Sequence, residues 1–128
     1  MATYVTKPFV PNRNKVNKYL DSIFKNRQFS NNGPLVRELT SRLEDYLKVK
    51  NLILVANGTL ALHIAIKLFK LKGPVITTPF SFPATSSALV WEGCKPVYVD
   101  INRNSFNIDL REQDLKKSVN GIVATHVF

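Results

Sequence analysis

Apolar residues in the first fifty positions recur at the spacing of amphipathic helices. The spacing predicts one helix over residues 14–26, beginning near Asn12. Residues 27–34 contain Asn-Asn-Gly-Pro, a sequence that is typical of a loop. A second helix is predicted over residues 35–47, because apolar side chains fall on one side and charged side chains on the other.

Beyond residue 50, short apolar runs alternate with helical patterns. The apolar runs predict strands at 51–56, 74–78, 95–101 and 121–128. Helices are predicted at 59–71, within 81–93 and at 110–118. The first of these is apolar on nearly all sides, so we expect it to be buried apart from a narrow polar stripe. Strands that alternate with helices over short connections predict an α/β fold with a mostly parallel sheet and helices on both faces.

Length, charge and cysteine content narrow the class of protein. The 128 residues are about one domain's worth, and the formal net charge is +9. A basic face near the N-terminus attracts phosphates of any kind or is simply solvated, and no nucleic-acid-binding motif or metal-ligand spacing accompanies it. No apolar run is long enough for a membrane span and no signal peptide is recognisable, so we expect a cytoplasmic protein. Cys94 is the only cysteine, which excludes an internal disulfide.

A small polar turn, Asn57-Gly58-Thr59, joins the apolar strand at 51–56 to the apolar helix that follows. The turn reverses the chain, caps the helix, or holds an anion. Ligands of open α/β sheets bind beyond the carboxyl ends of the strands, where the free amides and positive dipole end of a helix face the site. Backbone amides of Gly58, Thr59 and Leu60 form a candidate phosphate cradle. Neither a dinucleotide-binding fingerprint nor a P-loop is present.

A second loop is expected at the same edge of the sheet, after the strand at 74–78. It carries Phe80 and Phe82, with Ser81 and Thr85 beside them. An aromatic ring near a phosphate cradle suits a planar phosphorylated cofactor, since stacking contributes about 0.5–1.5 kcal/mol beyond burial. The alternative is that both rings belong to the core.

The two stretches together resemble the DegT/DnrJ/EryC1/StrS family of sugar aminotransferases, which use pyridoxal 5′-phosphate (PLP). The resemblance covers nearly the whole chain from about residue 7 and rests on FSNNGPLVRELTSRLEDYL, LVANGTLALHIAI, ITTPFSFPATSSALVWEGCKPVYVDI, and SFNIDLREQDL with GIVATHVF. The third block is most similar to enzymes that aminate dTDP-4-keto-6-deoxyglucose at carbon 4. The resemblance implies a type I (aspartate-aminotransferase-like) fold, a homodimer, a glutamate amino donor and a nucleotide-sugar substrate for lipopolysaccharide O-antigen or deoxysugar synthesis.

The resemblance also implies roles for individual residues. Cofactor binding is expected at Gly58, Thr59 and Leu60, which match the stretch that holds the PLP phosphate, and at Phe82, which matches the ring stacked on the pyridine. Substrate binding is expected at Ser30, Asn31, Gly33, Thr85 and His126.

The resemblance places the family's Schiff-base lysine and its pyridine-binding carboxylate beyond Phe128. We therefore expect an N-terminal piece of a longer enzyme that has no catalytic residue of its own and is inactive alone. Residues 1–34 would supply a helix and an active-site loop, and residues 35–128 the first part of the PLP-binding domain. In the family's sheet order the strand at 51–56 would lack its neighbours in this piece.

Two alternatives remain open at the level of sequence. A minority of the family are PLP-dependent sugar dehydratases with histidine in place of the lysine, and the deciding position lies outside residues 1–128. The other alternative is a small basic module that binds nucleic acid or another polyanion, and the net charge of +9 is the observation that suggests it.

Overall fold

The structure, a computed structural model, describes residue 3, residues 5–115 and residues 118–127. The chain divides into two compact units, Met1–Leu54 and Val55–Phe128. Among the described residues no helix is both long and apolar enough to cross a membrane. The division at residues 34 and 35 concerns the functional segments of a whole enzyme, and it stays a prediction.

The first unit has two helices among its described residues, and both were predicted. Helix α1 spans Arg13–Asn26, and its N-cap is Asn12, whose side chain accepts a hydrogen bond from the Lys15 amide at 3.1 Å. Helix α2 spans Pro34–Leu47, with proline in its first turn, where the missing amide costs nothing. Capping residues and the spacing of apolar residues were therefore sufficient to predict both helices of this unit.

The second unit contains the sheet. Its elements are α3 (Gly58–Leu68), β1 (Gly73–Thr77), α4 (Ala84–Trp91), β2 (Cys94–Tyr98) and α5 (Glu112–Leu115). Strands β1 and β2 are parallel, in a register that pairs Gly73 with Cys94 and Thr77 with Tyr98. The predicted α/β class with a parallel sheet is confirmed.

A third segment continues the sheet on the other side of β1. Ile122 forms a parallel bridge with Ile76. The Ile76 amide donates to the Gly121 carbonyl at 2.9 Å, and the Val123 amide donates to the Ile76 carbonyl at 2.8 Å. The order across the sheet is therefore β2, β1 and then residues 121–123, which we call the third segment.

The core of this unit lies between β1, α3 and α4. Val75, Ile76 and Leu89 are fully buried, and Ile66 of α3 is nearly so. The core is small, because α3 and α4 each turn only part of their apolar surface inward. The cluster packs β1 against α3 and α4, and Leu62 of α3 and Val123 lie partly buried against it.

Two predictions about the second half of the chain are wrong. Residues 51–56 form no strand, since a strand needs a hydrogen-bonding neighbour and the described residues provide none there. Helix α3 is not buried on nearly all sides: Leu68 is 72% exposed, and Phe69, just after the helix, is 77% exposed.

Two further elements are shorter than predicted. The predicted strand over residues 121–128 is reduced to the single bridge at Ile122, and residue 128 lies outside the described residues. The predicted helix over 110–118 is described only as Glu112–Leu115, since residues 116 and 117 also lie outside them.

Candidate functional site

An open cleft of about 520 Å³ lies in the second unit at the N-terminus of α3. Its walls come from the start of α3, the loop before α4 and the third segment with the residues that follow it. The lining residues are Gly58, Thr59, Leu62, Phe82, Ala84, Thr85 and residues 123–126. This volume lies within the range of small-molecule sites, about 300–1,000 Å³. No lining residue is a carboxylate, so nothing in the cleft wall repels an anion.

The start of α3 offers unpaired donors to this cleft. Asn57 is the N-cap, and its side-chain oxygen accepts from the Leu60 amide at 2.9 Å. The first amides of a helix have no partner within the helix. Among the described residues, the amides of Gly58 and Thr59 donate to no other group. Capping and anion binding are therefore compatible here, because the cap uses one amide and leaves two.

The expectation for Leu60 needs a correction. Its amide is already engaged by Asn57, and the residue does not line the cleft. A capping hydrogen bond at 2.9 Å occupies the donor that the phosphate would need. Of the three amides of the predicted cradle, those of Gly58 and Thr59 remain without a partner among the described residues.

Gly58 faces open space. A Cβ atom built on this residue meets no heavy atom within 4 Å, other than those of its chain neighbours and of its own helix's backbone. Its φ is not in the left-handed region, so neither backbone conformation nor packing requires glycine at this position. The free volume in front of the helix start is what an anion bound to two amides would occupy.

The loop before α4 presents one aromatic ring to solvent and one to a neighbouring ring. Phe82 lines the cleft and is 79% exposed. Phe80 is 45% exposed and stacks on Phe106, with centroids 6.0 Å apart and planes inclined by 27°. The interpretation of both phenylalanines as core residues is therefore wrong.

Buried threonines at the end of β1 connect the walls of the cleft. Thr77 Oγ1 donates to the Val123 carbonyl at 3.0 Å, which ties the third segment to β1. The Phe80 amide donates to Thr78 Oγ1 at 3.2 Å, which fixes the start of the aromatic loop. Both threonines are essentially inaccessible to solvent. The sequence analysis missed them, although two threonines ending an apolar strand are a signal that side chains there bond to the neighbouring backbone.

The other predicted site residues fall into two groups. Thr85 and His126 line the cleft together with Gly58, Thr59 and Phe82. His126 is exposed rather than packed on an apolar strand. The remaining three, Ser30, Asn31 and Gly33, belong to the first unit, where Arg37 Nη1 donates to the Asn32 carbonyl at 2.7 Å and holds their loop.

A charged cluster that the sequence analysis missed joins α3 to the end of α4. His63 Nδ1 lies 2.7 Å from Glu92 Oε1, and Lys67 Nζ lies 3.0 Å from Glu92 Oε2. The hydrogen bond from His63 and then that from Lys67 hold the pKa of the Glu92 carboxyl below its ordinary value. His63 and Lys67, two polar residues of α3, are therefore partners of one carboxylate and link α3 to the end of α4.

Comparison with known proteins identifies relatives over almost the whole chain. The model of the DegT/DnrJ/EryC1/StrS aminotransferase family matches residues 11–128. The dTDP-4-amino-4,6-dideoxy-D-glucose transaminase of Escherichia coli is 40% identical over 126 residues, covering 97% of this chain and 34% of that protein. The chain thus spans about a third of the length of the curated relatives it matches.

Solved structures agree with this assignment. NtdA from Bacillus subtilis, with bound cofactor PMP, has a TM-score of 0.77 and 27% identity, covering 98% of this chain and 32% of that one. A Bacillus cereus protein described as a PLP-dependent aminotransferase has a TM-score of 0.81 at 24% identity, covering 95% of this chain and 36% of its own, and it supports the fold alone. The fold is that of the type I PLP-dependent sugar aminotransferases.

Proposed function

The chain belongs to the DegT/DnrJ/EryC1/StrS aminotransferase family, and we propose that it supplies the phosphate-binding part of the PLP site in a nucleotide-sugar aminotransferase. The observation that carries the proposal is the convergence of Gly58, Thr59 and Phe82 on one cleft. Gly58 and Thr59 begin α3 and were expected to bind the phosphate. Phe82 lies in the loop before α4 and was expected to stack on the pyridine.

The phosphate would bind at the start of α3. The amides of Gly58 and Thr59 are its donors, and the Thr59 hydroxyl is a third. The positive end of the α3 dipole adds about 0.3–1 kcal/mol for an anion at an exposed helix terminus. No carboxylate lines the cleft, so this attraction is not opposed at close range.

The pyridine ring would lie against Phe82. A ring that is 79% exposed has little protein contact to lose when a planar ligand stacks on it. Thr85 and His126 lie on the same cleft, where a hydroxyl and an imidazole orient the polar groups of the cofactor or the substrate. We propose Ser30, Asn31 and Gly33 as further substrate-binding residues.

PLP, when bound, supplies the electron sink for amino transfer. The residues described above bind and orient the cofactor, and we assign no proton transfer to them. Lys67 of α3 forms an ion pair with Glu92 at the end of α4, and it does not line the cleft. We propose that the reactive lysine and the acidic partner of the pyridine come from outside these 128 residues, so that the chain alone is inactive.

For the whole enzyme we propose amino transfer from glutamate to a 4-keto-6-deoxy sugar nucleotide. It would act as a cytoplasmic homodimer in the synthesis of cell-surface polysaccharide such as O-antigen. Support for the substrate class comes from the 40% identity to the dTDP-4-amino-4,6-dideoxy-D-glucose transaminase. In an enzyme extended through the family's lysine, the PLP absorbance band should shift when glutamate is added.

Pyridoxine 5′-phosphate tests the chain itself. This ligand has an alcohol in place of the aldehyde, so it does not condense with surface lysines. We expect it to bind at least roughly tenfold more tightly than pyridoxine, since a hydrogen bond to a charged group contributes about 1.5–3 kcal/mol. Inorganic phosphate should compete with it. Equal affinities for the phosphorylated and the unphosphorylated ligand would refute the proposal.

A further inference from the structure

The aromatic loop, residues 79–83, carries Phe82, the most exposed aromatic ring of the cleft. The contacts of this loop determine how freely the Phe82 ring moves. Phe82 is 79% exposed, so packing of its own side chain does little. The hydrogen bonds of the loop involve its backbone and small polar side chains: the Ser81 amide donates to the Pro79 carbonyl at 2.9 Å, and Ser81 Oγ donates to the Phe82 carbonyl at 3.0 Å. The Phe80 amide also donates to Thr78 Oγ1 at 3.2 Å, and the Thr85 amide donates to the Phe82 carbonyl at 3.1 Å. The stack of Phe80 on Phe106 is the contact that joins the loop to a part of the chain distant in sequence.

Phe106 is presented by a tight turn over residues 102–107. Asn102 organises it: its carbonyl accepts from the Phe106 amide at 2.8 Å, and its side chain accepts from the amides of Asn104 and Ser105 at 2.9 and 3.1 Å. Phe106 has a φ of 56°, which lies in the left-handed region that bulky L-residues avoid. A left-handed phenylalanine persists only where the surroundings determine it.

The same turn also reaches the opposite wall. The Val127 amide donates to Asn107 Oδ1 at 3.2 Å. Val127 and Thr125 line a second hollow of about 390 Å³ together with Phe80 and Phe82. The turn therefore contacts both the aromatic loop and the segment that carries Thr125 and His126.

We infer that Phe106 is a positioning residue of the cofactor site: through its stack on Phe80 it fixes the aromatic loop and so the ring of Phe82. The inference rests on the proposed function, because it assigns a purpose to the orientation of Phe82. A phenylalanine kept in a left-handed conformation by an organised turn, with its ring against the loop, is the arrangement that such a role requires.

Fluorescence anisotropy of a single indole at position 82 measures the effect without any ligand. The W91F and F82W changes are combined in the 128-residue chain, and F106L, F106Y or F69L is added. F106L removes the ring and F106Y keeps it. F69L is the control for loss of a phenylalanine ring elsewhere in the same unit, because Phe69 is 77% exposed and has no aromatic partner among the described residues. We expect F106L to increase the rapidly decaying fraction of the anisotropy roughly twofold, with F106Y and F69L close to the parent.

Ligand binding is measured with position 82 as phenylalanine. F106L should weaken the binding of pyridoxine 5′-phosphate several-fold and leave the binding of inorganic phosphate unchanged, since only the contact with the Phe82 ring depends on the stack. A general loss of structure would weaken the binding of both ligands. If F106L does not fold by circular dichroism, F80L removes the other ring without touching the turn and should loosen the indole equally.

An indole whose motion is unchanged in F106L, or in F80L when F106L is unfolded, overturns the inference. This outcome is separate from failure of the proposed function, in which the parent chain fails to distinguish pyridoxine 5′-phosphate from pyridoxine. In that case the anisotropy still shows whether Phe106 holds the loop, and the positioning role for a cofactor falls with the function.

Discussion

Replacement of Gly58 by alanine separates ligand binding from stability. The structure leaves open space where the new Cβ would lie, and the φ of Gly58 is not left-handed. The free energy of unfolding should therefore rise by about 0.4–1 kcal/mol or stay unchanged, because alanine restricts the unfolded chain more than glycine does. The free volume beside the two amides is at the same time the space that we assign to the phosphate.

The expected loss of affinity follows from the number of donors. If the methyl group displaces the phosphate from one amide, one charge-assisted hydrogen bond of about 1.5–3 kcal/mol is lost. The Kd for pyridoxine 5′-phosphate should then rise roughly 10- to 100-fold. Calorimetric titration gives the Kd, and urea unfolding gives the free energy of unfolding, on the same preparation.

Gly93→Ala is the matched control. Gly93 has a φ of 79°, its Cβ would also meet no atom within 4 Å, and it does not line the cleft. Alanine in the left-handed region should destabilise the chain by about 1–2 kcal/mol without changing the Kd. The reasoning is refuted if G58A binds within about twofold of the parent, or if G58A is destabilised as much as G93A.

Three further changes test the surroundings of the site. Removing the cap with Asn57→Ala should lower the free energy of unfolding in urea by about 0.5–2 kcal/mol, and a loss below this range would mean that the cap at the start of α3 is not formed. Leu89→Ala should lower it by about 2–5 kcal/mol, because Leu89 is fully buried, and a smaller loss would place the core elsewhere. Hydrogen bonds from His63 and Lys67 lower the pKa of Glu92 in the folded chain, so their stabilisation is complete above the ordinary value of 4.5 and is lost as the pH falls through the lowered value. The difference in thermal midpoint between the parent and Glu92→Gln should therefore be larger just above pH 4.5 than in more acidic solution, where it shrinks, and a difference that stays constant as the pH falls below 4.5 would contradict this expectation.

The elements that the sequence predicted well are those whose signals are local. Asn12 and Asn57 cap helices that begin within a residue or two of the expected positions. The run at 51–56 is as apolar as β1, yet it forms no strand, because strand formation depends on a neighbour that the local sequence does not reveal. Strand β2 ends at Tyr98 rather than at residue 101, since Ile101 instead bridges to Ile108 across the turn.

In the candidate site, too, the local sequence does not reveal features that depend on contacts between distant residues. Gly58 and Phe82 were predicted together because both were expected to follow strands of one sheet, and they do line one cleft although residues 51–56 form no strand. Phe106 was not, since its stack on Phe80 depends on a left-handed backbone angle. The asparagines and serine of residues 102–107 indicate a turn, but they do not indicate where the turn directs its aromatic ring.

The third segment determines how binding measurements on this chain must be interpreted. Together with residues 124–126 it supplies one wall of the cleft, and it is joined to β1 by a single bridge at Ile122 and by the hydrogen bond from Thr77. Any conformational entropy that this segment loses when a ligand contacts both it and α3 reduces the measured affinity. The same ordering stabilises the chain, because a ligand that binds only the folded state shifts the unfolding equilibrium. The ratio of Kd values between the parent and a variant cancels the common cost, so that ratio measures the contribution of the two α3 amides and of the Phe82 ring.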